Sequence, residues 1–301
     1  MLVRIATRES PLAVQQAMLV ANALQKAHSN VECQLVKMKT QGDILLDQSL
    51  SKIGGKGLFL KELEQALMND KADIAVHSMK DVPARFHDAL EISCVLKRED
   101  DRDVFISSKY QSFYTLPKGA TIGTSSCRRK GQILALRPEL KVMSLRGNVG
   151  TRLKKLENDE VDAIILAAAG LKRIGLDDKI NHYFSHQEML PAIAQGAIGV
   201  QNRIGDAKIN ALLSPINDEV TQILIGAERA FLMGFGGDCS TPIAANCTMH
   251  GDDIILQAGY FMEDGMAQLY SVKEGEAGII IELAFETAIS MSKERALYCS
   301  R

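Results

Sequence analysis

Cys239 sits in the loop Gly236-Gly237-Asp238-Cys239-Ser240-Thr241-Pro242-Ile243, just after a strongly helical stretch. A single loop thiol approached through two glycines reads as a covalent anchor. Glycines permit close packing or unusual backbone angles, and an ionised thiol is a nucleophile. Far upstream, Arg8, Lys80, Arg128, Arg129, Arg146, Arg152 and Arg173 recur where short apolar runs end. Cations at strand ends read as a pocket for a polyanion. Among them stands Asp81, in His77-Ser78-Met79-Lys80-Asp81-Val82-Pro83. Pro83 biases Val82 away from helix and so fixes a turn at Lys80 and Asp81. Asp81 is either the counter-ion of these cations or a group that stabilises a cationic intermediate and accepts hydrogen bonds from ring N–H groups.

Two hydroxyl-rich turns supply neutral donors. Residues 121–129 read as a strand, a turn and a helix start. Thr124, Ser125 and Ser126 thus join the unpaired N–H groups of a helix N-terminus, which suit carboxylate or phosphate. Residues 144–152 repeat the design, with Arg146 before the turn and Arg152 one turn into the next helix. In one loop alone, capping hydroxyls and solvated arginines are the simpler account. Four such loops at equivalent strand ends favour the pocket.

The elements that must position these residues follow from apolar spacing. Residues 2–7 alternate as a strand, and Ser10-Pro11 opens a helix as N-cap and first-turn proline. Residues 45–57, with Gly54, Gly55 and Gly57 beside Lys52 and Lys56, read as a mobile loop, and a helix follows from about Leu58 to Met68. Strands at 72–79 and 161–168 are near-continuously apolar, as in sheets covered on both faces. Each follows a short helix and ends in basic residues, so the chain reads as two similar α/β lobes with ligand loops at the strand carboxyl ends. Residues 189–202 read as a return from the second lobe to the first, giving two crossings. Beyond residue 214 come a helix at 218–233, strands at 243–250, 254–261 and 266–272, and a helix at 278–297. That is a small antiparallel α+β domain.

At 301 residues the chain has room for two or three cores. Its net charge of −2 gives no global field for nucleic acid or anionic membrane, so anion recognition has to be local. No apolar run approaches a membrane span, and the N-terminus reads as a strand rather than a signal peptide; a cytoplasmic location is expected. The six cysteines are scattered, and Cys33 and Cys94 read as small buried hydrophobes. His182 and His186, four apart, suit one helix face but lack the carboxylate partners of a metal site; no metal is expected.

The chain closely resembles the porphobilinogen deaminase family. The resemblance rests on residues 4–8, Gly54-Gly-Lys-Gly-Leu-Phe, His77–Pro83, Ile122-Gly-Thr-Ser-Ser, Arg128-Arg129, Leu145-Arg-Gly-Asn-Val-Gly-Thr-Arg, Ala169-Gly-Leu-Lys-Arg, Gln195-Gly-Ala-Ile-Gly, the helix 226–233 and the Cys239 loop, in family order over nearly the whole chain. It implies condensation of four porphobilinogen molecules head to tail, with loss of ammonia, into a linear tetrapyrrole. It implies a dipyrromethane cofactor joined by a thioether to Cys239. Arg8, Lys80, Arg128, Arg129, Arg146, Arg152 and Arg173 match positions that grip acetate and propionate groups, and Ser10 and Thr124 to Ser126 match supporting donors. Lys52, Lys56 and Phe59 fall in the lid. Asp81 matches the catalytic aspartate, which stabilises an azafulvenium cation. The implied fold is α/β: two type II periplasmic-binding-protein-like lobes with two hinge crossings, plus a small C-terminal α+β domain with a three-stranded antiparallel sheet. Its domains are 1–96 with 197–214, 97–196, and 215–301. A monomer is implied that hands its product to the next tetrapyrrole enzyme. Asp238 departs from the glycine expected there. Two other readings compete: a two-lobed binding protein for an anionic solute, and a homologue that binds tetrapyrrole without turnover.

Overall fold

The computed structural model describes residues 1–44, 60–237, 241–266 and 268–299. β1 (Leu2–Arg8) leads into α1 (Pro11–Ala27), whose start is set by Ser10: its hydroxyl accepts from the Ala13 N–H at 3.4 Å. Ala13, Gln16, Ala17, Val20, Ala21 and Leu24 recur at three- and four-residue intervals and form the buried face. β2 (Glu32–Met38), α2 (Gln41–Ile44), α3 (Lys61–Met68), β3 (Ile74–Ser78) and β4 (Leu90–Val95) follow. The chain then builds β5 (Asp103–Ile106), β6 (Thr121–Gly123), α4 (Cys127–Leu136) and β7 (Lys141–Met143). After these come α5 (Val149–Glu157), β8 (Ala163–Ala167), α6 (Ala168–Arg173) and β9 (His182–Tyr183). It returns through β10 (Ile198–Arg203) and α7 (Ala207–Leu213). α8 (Glu219–Phe235), β11 (Ile243–His250), β12 (Asp253–Phe261), β13 (Gln268–Glu276) and α9 (Ile280–Cys299) complete it.

Two five-stranded sheets share one plan, β2-β1-β3-β10-β4 and β7-β6-β8-β5-β9. In each, the first three strands are parallel and the fourth is antiparallel to both neighbours. The antiparallel strand is the one the chain enters on changing unit, β5 just after Asp100 and β10 just after Gly196. These are two α/β lobes of one topology, with two chain crossings between them. Both sheets are covered on both faces, which is why their central strands are apolar throughout. In the second sheet Phe105, Ala163 and Ile165 pack with Ile122 and Ile133, while Val104, Ile106, Ile164 and Leu166 pack with Leu153, Leu156 and Leu171. Each fully buried Ile, Leu or Phe contributes about 1.5–3 kcal/mol.

β11, β12 and β13 form the separate three-stranded antiparallel sheet of the C-terminal domain. β13 runs to Glu276 instead of stopping at residue 272, because β12 pairs it out to Asp253 opposite Glu276. Its exposed Lys273, Glu274 and Glu276 conceal the strand from a pattern of alternation. His182 and His186 share no helix: His182 is on β9, and His186 lies beyond it with Nε2 2.7 Å from Asp101 Oδ1. The chain divides into two compact units, residues 1–99 with 196–222 and residues 100–195 with 223–301. Within the second, Leu190 packs with Ala244 and Phe261 of the C-terminal sheet. No helix among the described residues is long and apolar enough to cross a membrane.

Candidate active site

In the first lobe β1 and β3 are parallel neighbours, Ile5 level with Ile74, so their carboxyl ends share one edge of the sheet. Arg8 ends β1 and Ser10 caps α1 beside it. Arg8 Nε donates to Asp43 Oδ2 at 3.2 Å, and Nη2 bonds the other oxygen of the same carboxylate. Burial alone would raise the Asp43 carboxyl, but bonds from Arg8 and Thr40 outweigh it and hold it below its ordinary range. Arg8 therefore brings a carboxylate of its own to the edge. At the end of β3, residues Met79–Asp81 make a single tight helical turn, which places Lys80 half-buried and Asp81 exposed. Among the described residues Asp81 has no hydrogen-bond or ion-pair partner. A carboxylate held out at a strand end, with no counter-ion among the described residues, is available to a ligand.

In the second lobe β6 pairs in parallel with both β7 and β8, so three carboxyl ends lie along one edge. β6 passes into Thr124, Ser125 and Ser126, and Ser126 caps α4 by accepting from the Arg129 N–H at 3.3 Å. Thr124 is buried, its hydroxyl accepting from the Ser126 N–H at 3.2 Å, and Ser125 is exposed with its hydroxyl on the Leu145 carbonyl. β7 leads through Arg146 and Gly147, at φ +117°, to Asn148, which caps α5 by accepting from the Thr151 N–H at 2.9 Å. Arg152 on α5 returns to the Gly147 carbonyl at 2.8 Å. Arg173 ends α6, directly after β8. Arg146, Arg152 and Arg173 are all half-buried. Beside Arg173, Lys172 meets Asp100 at 3.0 Å, and Asp100 also takes Arg102 at 2.8 Å.

Arg128 and Arg129 differ from the rest. Both stand in the first turn of α4 and are buried, and both bond Asp103, which is fully buried at the start of β5. Arg128 Nη1 donates to Asp103 Oδ2 and to the Leu190 carbonyl, each at 2.6 Å. Arg129 uses all three nitrogens: Nε and Nη2 on Asp103 Oδ1 at 3.1 and 2.7 Å, and Nη1 on the Ile165 carbonyl at 2.9 Å. Burial by itself would raise the Asp103 carboxyl, but the two guanidiniums prevail and hold it well below the usual carboxylate range. The sequence reading missed Asp103. It belongs to Glu99-Asp100-Asp101-Arg102-Asp103, a run of charges that looks solvated until β5 is seen to enter the sheet there.

Cys239, Lys52, Lys56 and Phe59, with Asp238 and the glycine-rich segment before Leu60, lie outside the described residues. Among the described cysteines, burial pushes the Cys94 thiol up to about 12, and burial followed by a bond to Glu263 pushes Cys127 up to about 11. Neither is a ready nucleophile. Cys94 is fully buried, and Cys33 is half-buried.

Three solved structures are similar to part of this chain. Lipoprotein Tp32 from Treponema pallidum is 13% identical, covering 71% of this chain and 90% of its own, with a TM-score of 0.46. A periplasmic substrate-binding protein of an ABC transporter from Coxiella burnetii is 15% identical over 73% and 94%, TM-score 0.46. A nutrient-binding protein from Burkholderia cenocepacia, solved bound to methionine, is 13% identical over 70% and 90%, TM-score 0.45. Family models are far more specific: residues 3–211 match the dipyrromethane-cofactor-binding domain of porphobilinogen deaminase, and residues 223–296 match its C-terminal domain. With both domains present in order, the chain belongs to the porphobilinogen deaminase family, the enzymes that condense porphobilinogen into hydroxymethylbilane on a dipyrromethane cofactor.

Proposed function

We propose that this chain is a hydroxymethylbilane synthase in which Asp81 is the catalytic carboxylate and Cys239 anchors the cofactor. One observation carries the reading: Asp81 is exposed at a strand's carboxyl end and unpaired among the described residues, on a lobe edge that otherwise presents Arg8 and Lys80. A carboxylate there accepts hydrogen bonds from pyrrole N–H groups and balances positive charge as ammonia leaves. The donor set of the second lobe fits a dipyrromethane, whose side chains are carboxylates. Arg146, Arg152 and Arg173 supply half-buried cations, and the turn from Thr124 to Ser126 adds hydroxyls and helix N–H groups. When bound, the cofactor supplies the primer onto which pyrrole units are added. Among the described residues Arg128 bonds only through Nη1, which keeps Nε and Nη2 for a ligand carboxylate, whereas Arg129, bonded through every nitrogen, steadies the start of α4. Arg8 and Lys80, with Ser10 at the head of α1, bind substrate carboxylates at the first lobe's edge.

The domain division 1–96 with 197–214, 97–196 and 215–301 belongs to this proposal. So do a monomeric, cytoplasmic enzyme and the transfer of its product to the next tetrapyrrole enzyme. The test is the denatured intact mass of purified protein, with the modified peptide mapped. An addition of two linked pyrrole units on Cys239 is expected. Protein without it is incubated with porphobilinogen: the enzyme gains the adduct, and a two-lobed solute-binding protein does not. An adduct on any other residue, or none after incubation, sinks the assignment of Cys239.

A further inference from the structure

Three consecutive residues lead into the Lys80–Asp81 turn, and each is held by a different contact. Ser78 Oγ meets the Gln16 side-chain amide of α1 at 2.7 and 3.0 Å. Met79 lies against Gly199 of β10, where a Cβ would come 2.1 Å from its sulfur. His77 is buried, with Nε2 3.0 Å from Gln201 Oε1 on β10. Gln201 is itself fully buried and donates from Nε2 to Glu64 Oε1 of α3 at 3.0 Å. In the antiparallel register Gly199 faces His77 and Gln201 faces Ala75, so His77 and Gln201 are diagonal neighbours on one face of the sheet, the face that α3 covers.

The direction of this chain of bonds follows from its outer end. The Glu64 carboxylate only accepts, so the Gln201 NH₂ must point to it and the Gln201 oxygen to His77. His77 is then the donor, as the Nε2–H tautomer. We infer that Gln201 is a positioning residue for the catalytic turn: oriented by Glu64, it fixes the His77 ring and with it the backbone that presents Lys80 and Asp81. The inference rests on Asp81 being the catalytic carboxylate. Burial, joined by the nearby Arg8 charge, lowers His77 to about 4 against the opposing bond from Gln201, so the ring stays neutral at working pH.

The test uses Gln201→Met, nearly isosteric and unable to accept strongly or donate, and Gln201→Glu, which keeps an acceptor for His77. Cofactor-loaded enzymes are compared well below their melting temperatures, and His77 is followed by ¹⁵N NMR. In the wild type the Nε2–H tautomer should persist to pH 5. Gln201→Met should lose that signature and at least tenfold in kcat with KM within twofold. Gln201→Glu should recover part of kcat and gain an inflection between about pH 6 and 8, because its carboxylate, set between His77 and the Glu64 carboxylate that now repels it, draws a proton into the cluster in that range. Wild-type kcat in Gln201→Met, or equal loss in both variants without the new inflection, overturns the inference alone. Asp81→Asn is the separate control: wild-type turnover there overturns the reading of Asp81 and the inference with it, while the NMR arm still reports the His77–Gln201 bond.

Discussion

Asp81 and Asp103 carry the same side chain into opposite surroundings, and their behaviour on substitution should differ accordingly. Asp81 is exposed and holds nothing together among the described residues. Asp81→Asn should therefore leave the melting temperature within about 2 °C while kcat falls about 10²–10³-fold, the usual scale for one preorganised electrostatic group. Single-turnover elongation near the wild-type rate would remove the catalytic role proposed for it. Asp103 neutralises two buried guanidiniums. Asp103→Asn leaves them uncompensated and should cost about 3–5 kcal/mol at pH 7. Because the folded carboxyl is held below its unfolded value near 3.9, its stabilisation is complete above about pH 5 and fades as pH falls toward the lowered folded value. Urea unfolding across pH 2.5–7 should show the wild type and Asp103→Asn converging below about pH 4. Parallel curves would mean that the pair adds no pH-dependent stability.

At the scale of elements, α4 is fixed at both ends. Ser126 caps its start and Arg129 ties it to β5, while farther along it meets the turn after β12. A Cβ on Gly131 would lie 2.6 Å from the Met262 carbonyl oxygen and 2.9 Å from that of Phe261. Lys130 reaches Glu263 at 3.1 Å across the same contact. Alanine gains about 1 kcal/mol in helix propensity over glycine. Overpacking costs about 1–3 kcal/mol, and here the obstacles are backbone atoms that yield less readily than a side-chain tip. Gly131→Ala should thus be destabilising by about 1–2 kcal/mol in thermal unfolding. A rise in melting temperature would show that the turn gives way freely.

For the whole molecule, a net charge of −2 leaves anion recognition to the sheet edges and says nothing about how distant segments are held. Within the second unit, Glu228 of α8 joins two of them. Fully buried, it accepts from the Ala194 N–H at 2.6 Å and the Cys247 N–H at 2.8 Å. Ala194 has φ +56°, a left-handed conformation that an alanine adopts only under constraint. Glu228→Gln turns an NH₂ toward one of these N–H groups and should lose about 2–3 kcal/mol. Amide exchange at Ala194 or Cys247 should accelerate in the variant. Unchanged protection at both would show that neither bond matters to the joint.

Much of this protein is local in origin, and that part was legible in the residue order. Ser10-Pro11 starts α1, Ser126 starts α4, Gly251 turns β11 into β12, and the apolar runs at β3 and β8 announce a sheet covered on both faces. Asp81 and the cations stand at strand carboxyl ends as their spacing implied, because a strand that ends in a polar turn delivers that turn to the sheet edge whatever lies elsewhere. The partners of these residues were not legible. Arg128 and Arg129 meet Asp103 from 25 and 26 residues away, and His77 meets Gln201 from 124. Nothing in a charged run or a lone glutamine encodes burial, since burial depends on which strands lie side by side. The two antiparallel strands entered at the crossings, β5 and β10, made that choice: one carries the counter-ion of Arg128 and Arg129, the other the glutamine that meets His77 just before the Lys80–Asp81 turn.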